Sequence, residues 1–507
     1  MDNTDQLLTF ALFLIVFKTN IQKFKEDAMR EIKFGTDGWR GIIADDFTFE
    51  TVARVAQAIA DYYKTQKGEE KGILIGYDTR FLSSEFALEV AQVLLGNGIP
   101  VLLSQSDVPT QAVSFGVVER RLQGGIMITA SHNPSKFNGI KVKTSSGCSA
   151  TAEITGRIES MLDKSRVKFL PWDEAERRGL AAKVDLLPSY LKKVCSFLDM
   201  DLINRASLKI VYDPMYGVGY GLVDRILERS TCEVFAIHPK PNPGFGGINP
   251  EPIEENLKDL KKEVKFRGAD LGVATDGDAD RVGVVDDKGR YLSPLQVFSL
   301  LLLYLVEEKE MRGKVVKTVS IGYQPERISR KFGLEWEQTP VGFKYVADKM
   351  LKEKVIFGGE ESGGYGYYGH LPERDGILSA LLFVEMIAKK GKPLSSILDE
   401  MEKKFGSSFF KRIDFQKGGV DKKKIVEKLT SSPPSALGGI PLKKILTIDG
   451  VKFIMEDESW LLIRPSGTEP KVRVYAEASR KTQLERIVQE GKDLAISIIE
   501  KLGSEAG

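Results

Sequence analysis

Histidine and cysteine are scarce in this chain of 507 residues, and neither sign of charge dominates. The three cysteines, Cys148, Cys195 and Cys232, are odd in number and widely spaced with no CxxC pair. That pattern excludes a disulfide framework and a cysteine zinc site, and it fits a reducing cytoplasm. With only His132, His238 and His370 available, and no G-x-S-x-G elbow around Ser131, a serine-hydrolase triad is poorly supplied. The 73 basic and 71 acidic residues nearly cancel, so no global field draws the chain to nucleic acid or to an anionic membrane. Any anion binding must be local. The apolar run Leu7–Phe17 is shorter than the roughly 20 residues needed to span a bilayer. It follows Asp2 and Asp5 with no basic residue before it and no small-residue cleavage site after it, unlike a secretory signal. Residues 1–28 are therefore expected to be an extension outside the fold, with the first domain opening at Met29.

What is present is material for large cores. With 42% hydrophobic and 28% charged residues, the length suggests roughly three to five domains. Short apolar runs such as "GILIGYD", "GGIMIT", "LKIVYD", "DLGVATD" and "EKVIFGG" read as buried strands, and stretches such as "FETVARVAQAIADYYKTQ" and "GLVDRILERS" have helical period. Their alternation predicts α/β layers with parallel or mixed sheets. "ILIGYDTR" and "KIVYDPMYG" each end a strand in aspartate and a turn, a hint of related units. "LPWDEAERRG" reads as a charged connector, and "SSPPSALGG" as a loop in a final segment that ends in a long helix. Four units follow, 29–180, 181–288, 289–405 and 406–507.

Four stretches carry candidate chemistry, one per unit. In "TASHNPSKFNGIKV", Asn133 and Pro134 favour a turn that presents Ser131 at the end of a strand, where open α/β sheets bind ligands. An ordinary polar turn is one reading. Phosphoryl transfer through the serine oxygen is the other, with Lys141 or His132 moving protons or neutralising charge. In "ATDGDADRVGVVDD", Asp276, Asp278 and Asp280 can converge on one hard cation, with Mg²⁺ the natural guess. An acidic solvated turn is the alternative. A calcium EF-hand is excluded, because Arg281 stands where that loop needs glycine and Asp287 where it needs glutamate.

"VIFGGEESGGYGYYGH" contains a formal G-x-G-x-x-G at Gly364, Gly366 and Gly369. No helix is expected on its third glycine, and Glu360 and Glu361 would repel a pyrophosphate, so it is not a dinucleotide site. Carboxylates and a serine in a glycine loop instead suit hydrogen bonds to a polyol such as a sugar. "LLIRPSGTEPKVRVYAEA" collects Arg464, Ser466, Gly467, Thr468 and Arg473, the inventory of a phosphate clamp, or else a surface hairpin.

Taken in this order, the four motifs resemble those of the α-D-phosphohexomutase superfamily, the phosphoglucomutases and phosphomannomutases, from about Met29 to the C-terminus. The resemblance implies three related α/β domains with mixed sheets plus a C-terminal α+β domain around a central cleft. It implies Ser131 as the phosphoserine, Asp276, Asp278 and Asp280 as Mg²⁺ ligands beside it, and Lys141 as general acid/base assisted by His132. It also implies Glu360 and Ser362 as readers of sugar hydroxyls, and Arg464, Ser466, Gly467, Thr468 and Arg473 as the phosphate clamp. Arg40, Arg281 and Lys344 match cleft positions. The implied reaction interconverts hexose 1-phosphate and 6-phosphate through a hexose 1,6-bisphosphate, with glucose 1,6-bisphosphate as primer, in a cytoplasmic monomer or dimer. Bacterial phosphomannomutase/phosphoglucomutases and phosphoglucosamine mutases of this superfamily often end the G-E-x-S-G-H loop in histidine, where this chain has Gly364. The glycine favours glucose phosphates, with mannose phosphates second. A glucose-1,6-bisphosphate synthase, a non-catalytic sugar-phosphate sensor and a metal-dependent phosphatase are the competing readings.

Overall fold

The computed structural model describes residues 32–35, 38–66, 71–416, 420–466 and 471–504, so the expected extension 1–28 lies outside the described residues. The apolar runs form strands in four separate sheets. The first sheet contains β1 (Gly38–Ile42), β2 (Ile73–Tyr77), β3 (Val101–Ser104), β4 (Gly124–Ile128), β5 (Phe137–Thr144) and β6 (Ala181–Val184), in the order β1-β5-β4-β2-β3-β6. The second contains β7 (Lys209–Asp213), β8 (Glu233–Ala236), β9 (Leu271–Thr275), β10 (Val282–Asp286) and β11 (Tyr291–Leu292), ordered β11-β10-β9-β7-β8. The third contains β12 (Lys314–Thr318), β13 (Trp336–Thr339), β14 (Val355–Gly359) and β15 (Tyr365–Tyr367), ordered β13-β12-β14-β15.

These three sheets repeat one plan. In each, a first strand pairs in parallel with the second and third, and the third turns back on a fourth as an antiparallel hairpin. The hint of related units is thereby explained: "ILIGYDTR" and "KIVYDPMYG" begin at β2 and β7, the equivalent first strands. The stretch read as a connector near Trp172 belongs to the first unit instead. Trp172 and Ala175 are buried on a short helix (Trp172–Arg177), and the chain continues into edge strand β6 beside β3. Its charges occupy the solvent side of that helix, which is why composition alone resembles a linker.

The fourth sheet is antiparallel in every pairing: β16 (Phe409–Gln416), β21 (Lys471–Ala478), β20 (Trp460–Pro465), β19 (Val451–Met455), β18 (Ile440–Leu446) and β17 (Ala436–Leu437) lie side by side in that order. The long helix Lys481–Ser504 covers it with Leu484, Ile487, Val488, Ala495 and Ile498. This unit has its own apolar core, whereas one continuous core joins the first three units through the buried helices Pro294–Glu307 and Gly376–Lys390. The fold is thus three related α/β domains and a C-terminal α+β domain. All three cysteines are free. No helix among the described residues is long and apolar enough to cross a membrane.

Polar clamps reinforce the joined core. Asp375 caps the helix Gly376–Lys390 by accepting from Leu378 N at 2.9 Å, and also accepts from the Tyr190 hydroxyl at 3.0 Å, which ties the third unit to the helix Leu187–Cys195. Lys143 on β5 pairs with Glu373 at 2.5 Å, both essentially inaccessible to water. Burial opposes ionisation of Glu373, but Lys143 and Arg374 hold its carboxyl below the usual range. Breaking such a pair leaves an uncompensated charge, so Glu373→Gln is expected to lower unfolding free energy by about 3–5 kcal/mol, read from urea denaturation.

A second test concerns the half-buried His238, whose Nδ1 lies 3.1 Å from Asp213 Oδ1 at the end of β7. The hydrogen bond to Asp213 raises the imidazole pKa against the opposing effect of burial. A raised folded pKa stabilises the protein fully below the unfolded value of about 6.5, and this contribution is lost as pH rises through the folded value. The Tm difference between the parent protein and His238→Gln should therefore be widest near about pH 5.5 and shrink toward about pH 8.5.

Candidate active site

Three of the four sequence motifs occupy the same place in the repeated plan, the hairpin loop between a unit's third and fourth strands. The serine loop joins β4 to β5, the aspartate loop joins β9 to β10, and the glycine-rich loop joins β14 to β15. The three loops meet. A Cβ on Gly277 would lie 2.6 Å from the Ser131 carbonyl oxygen, so the aspartate loop approaches the serine loop as closely as backbone allows.

Ser131 is buried, with a left-handed backbone at φ +54°, a conformation uncommon outside glycine. Its Oγ donates to Asp276 Oδ2 at 2.9 Å, and His132 Nδ1 lies 3.4 Å from that Oγ. Burial, together with the Arg281 and Arg40 guanidiniums, holds the His132 imidazole well below its ordinary pKa. Arg40, on β1, donates to Asn133 Oδ1 at 3.0 Å and so reaches the same loop. Lys141 follows on β5, where its Nζ donates to Asp278 Oδ2 at 2.6 Å and to Asp280 Oδ2 at 3.4 Å.

Asp276, Asp278 and Asp280 are fully buried, and each offers an oxygen within 4.8 Å of the others'. Burial and repulsion from Asp278 and Asp280 push Asp276 well above the usual carboxylate range. Burial acts the same way on Asp278, but Lys141 beside it prevails and holds that carboxyl well below. Asp278 Oδ1 and Asp280 Oδ1 are buried without hydrogen-bond partners. Converging carboxylate oxygens with unspent lone pairs are the donor set a hard divalent cation takes, so the triad fits a metal such as Mg²⁺.

Across the centre, Glu360 is buried and accepts from Ser362 Oγ at 2.7 Å and from Arg374 Nη1 at 3.1 Å, and burial raises its pKa. Its second oxygen, Oε2, is buried without a partner. Arg374 also donates to Asp280 Oδ2 at 2.7 Å, bridging the aspartate loop and the glycine-rich loop. Gly364 makes room for this: a Cβ there would sit 2.2 Å from Arg374 Cδ. The glycine that sets this sequence apart is therefore the position on which the Arg374 side chain lies. Arg281 hydrogen-bonds through its backbone N to Asp276 Oδ1 at 3.0 Å, and its guanidinium lies 3.6 Å from Glu251.

The fourth motif sits on the C-terminal sheet. Arg464 and Arg473 are cross-strand partners on β20 and β21, with Arg464 Nε donating to Asp449 Oδ2 at 2.6 Å and Arg473 Nε 3.6 Å from Asp414 Oδ2. Ser466 is buried, while Gly467 and Thr468 lie outside the described residues. Asp449, which pairs with Arg464, also accepts from Val341 N at 3.3 Å, so this sheet packs against the third unit. Lys344 is half-buried at the start of the helix Phe343–Lys352, on an element other than the three meeting loops, with its ammonium 5.1 Å from the Tyr345 ring centroid. The G-x-G-x-x-G run forms the β14–β15 hairpin with no helix on its third glycine. Arg374 and Arg80 carry no mark in the sequence reading. Both are single arginines close to an aspartate, and only their burial distinguishes them from surface charges.

A buried serine hydrogen-bonded to one member of a carboxylate triad, with a lysine on the other two, is an arrangement suited to phosphoryl transfer. Comparison with known proteins fixes the family. Profiles described as phosphoglucomutase/phosphomannomutase match in four blocks: alpha/beta/alpha domain I over residues 31–168, domain II over 188–289, domain III over 293–405 and the C-terminal domain over 413–494. The chain belongs to the phosphoglucomutase/phosphomannomutase family and is a phosphohexomutase, an isomerase. A Methanosphaera stadtmanae relative assigned as a phosphoglucosamine mutase is 35% identical over 467 residues, covering 92% of this chain and 98% of the relative. A Thermococcus kodakarensis phosphoglucomutase/phosphomannomutase is 32% identical over 468 residues, with the same coverage of 92% and 98%. Among solved structures, a Thermus thermophilus protein assigned as a phosphomannomutase superposes with a TM-score of 0.82 at 34% identity, covering 92% of this chain and 99% of that one.

The triad makes a direct prediction. Calorimetric titration with Mg²⁺ should show one site on the parent protein, and Asp280→Asn should weaken its affinity by about tenfold or more.

Proposed function

We propose that this chain interconverts hexose 1-phosphate and hexose 6-phosphate, with Ser131 carrying the phosphoryl group between the two ends of the sugar. The observation that carries the reading is the buried Ser131 Oγ, 2.9 Å from Asp276 Oδ2 in a triad that Lys141 also engages. In the first half-reaction a free sugar hydroxyl attacks the phosphorus of phosphoserine 131. The new O–P bond forms as the P–Oγ bond breaks, and Lys141, when deprotonated, accepts the hydroxyl proton and returns it to the departing Ser131 Oγ. The resulting 1,6-bisphosphate turns end for end. Ser131 Oγ then attacks the other phosphate and gives its proton to Lys141, which passes it to the departing sugar oxygen. Mg²⁺ held by Asp276, Asp278 and Asp280 would neutralise charge on the transferring phosphoryl group. Arg281 and Arg40 add fixed positive charge around the serine loop.

Both orientations of the sugar must fit one site, so the groups that read it must use features common to the two. Glu360, with its unpartnered Oε2, and Ser362 would exchange hydrogen bonds with ring hydroxyls. Arg464, Ser466, Arg473 and, by motif, Gly467 and Thr468 hold the phosphate that is not reacting, with Lys344 at the cleft wall. Glucose 1,6-bisphosphate is the natural primer, since it loads the serine directly. The expectation of glucose first and mannose second needs one addition. The relatives' names bring in glucosamine phosphate, which shares the gluco configuration at the hydroxyls away from C2.

The test is a coupled assay with Mg²⁺ and trace glucose 1,6-bisphosphate on glucose, glucosamine and mannose 1-phosphates, with inorganic phosphate followed in parallel. Turnover is expected for the gluco-configured pair and less for mannose, with little phosphate released. Ser131→Ala should lose transfer by a factor on the order of 10⁴ or more. Full activity in that variant would refute the assignment. Stoichiometric phosphate release would make the protein a phosphatase, and steady accumulation of bisphosphate a synthase. A protein that binds these sugars without converting them would be a sensor.

A further inference from the structure

Between β4 and β5 the serine loop has no ladder of its own, and three of its carbonyls, those of Ser131, Asn133 and Pro134, turn toward one side chain together with that of Phe137 at the start of β5. One side chain meets all four. Arg80 Nη2 donates to Ser131 O and Asn133 O, each at 2.6 Å, and Nη1 donates to Pro134 O at 2.9 Å and Phe137 O at 3.0 Å. The Arg80 side chain is fully inaccessible, its guanidinium 4.8 Å from the Phe245 ring centroid and its Nε 3.2 Å from the equally buried Asp78 Oδ2. Asp78 Oδ2 in turn accepts from Thr129 Oγ1 at 2.5 Å, and Thr129 Oγ1 accepts from Ser131 N at 2.8 Å. The peptide groups on both sides of Ser131 are thus fastened to one aspartate and arginine pair, at the residue whose backbone is left-handed.

The same brace recurs in weaker form in the other units. In the third unit, Ser320, just after first strand β12, donates to Glu361 of the glycine-rich loop. In the second, Val218 N, in the loop after β7, donates to Gly277 O at 3.1 Å. Among the described residues, the unit that carries the serine is the one that uses a charged five-donor fork for the purpose.

We propose that Arg80, oriented by Asp78, is a positioning residue for the phosphoryl-transfer reaction, holding the Ser131 backbone so that Oγ stays aimed at the aspartate triad. The inference rests on the reading of Ser131 as the phosphoryl carrier. Arg80 is sealed away from the cleft and acts through the loop it grips. Such a role matters here because the same oxygen must serve as leaving group in one half-reaction and as nucleophile in the other, and a small displacement misaligns both.

The test uses the full-length protein and two variants. Arg80→Lys keeps the charge but cannot fork to four carbonyls, and Thr129→Val cuts the link from Asp78 to Ser131 N with nearly unchanged volume. For each, kcat and KM for the preferred hexose 1-phosphate are measured per folded molecule, and phosphate on Ser131 is followed by intact mass. Arg80→Lys is expected to lower kcat on the order of 100-fold, with a smaller loss in Thr129→Val and KM within about twofold in both. Loading of Ser131 from glucose 1,6-bisphosphate should slow in parallel. Unchanged kcat in folded variants, or kcat and KM altered together, would overturn the positioning role. If Arg80→Lys fails to fold, Thr129→Val decides alone by the same criteria. A parent protein that neither turns over nor carries phosphate on Ser131 would overturn the proposed function and this inference with it. That result is distinct from an active parent with indifferent variants.

Discussion

The constraint on which the site depends is charge balance in a place sealed from water. Asp276, Asp278 and Asp280 are fully buried within reach of one another, and at Asp276 burial and repulsion from the other two carboxylates oppose ionisation. The compensating cations arrive from three directions: Lys141 from the first α/β unit, Arg281 from the second and Arg374 from the third. None of these units could hold the triad alone. The charge balance of the triad and the packing of the first three units are therefore one arrangement, and the continuous core through the helices Pro294–Glu307 and Gly376–Lys390 gives it rigidity.

Repetition supplies the geometry. One hairpin plan, used three times, delivers Ser131, the carboxylate triad and Glu360 at equivalent loop positions. Bringing such loops together needs close backbone approach, which explains Gly277 against the Ser131 carbonyl and Gly364 under Arg374. The fourth unit departs from the plan. Its antiparallel sheet has a separate core and presents Arg464 and Arg473 as cross-strand neighbours.

The strands, the long helices and the four motifs were legible in the sequence because each rests on local patterning: unbroken apolar runs for buried strands, period 3.6 for helices, and alternate aspartates for a cation site. The segment around Trp172 resembles a linker in the sequence because its charges outnumber the two buried residues that anchor it. Arg80 and Arg374 left no mark of their own. An arginine reads as surface by default, and only the folded chain shows it stripped of water and spent on carbonyls or carboxylates.

By itself the sequence determined the class of fold and the chemical groups on offer, since secondary structure and motif chemistry depend on neighbours along the chain. The tertiary structure alone decided that three motifs share one loop position, that Lys141 sits between Asp278 and Asp280, and that Gly364 carries the Arg374 side chain. Those relations join residues far apart in the chain or turn on fractions of an ångström, and packing, which sets distances across the chain, is what fixes them.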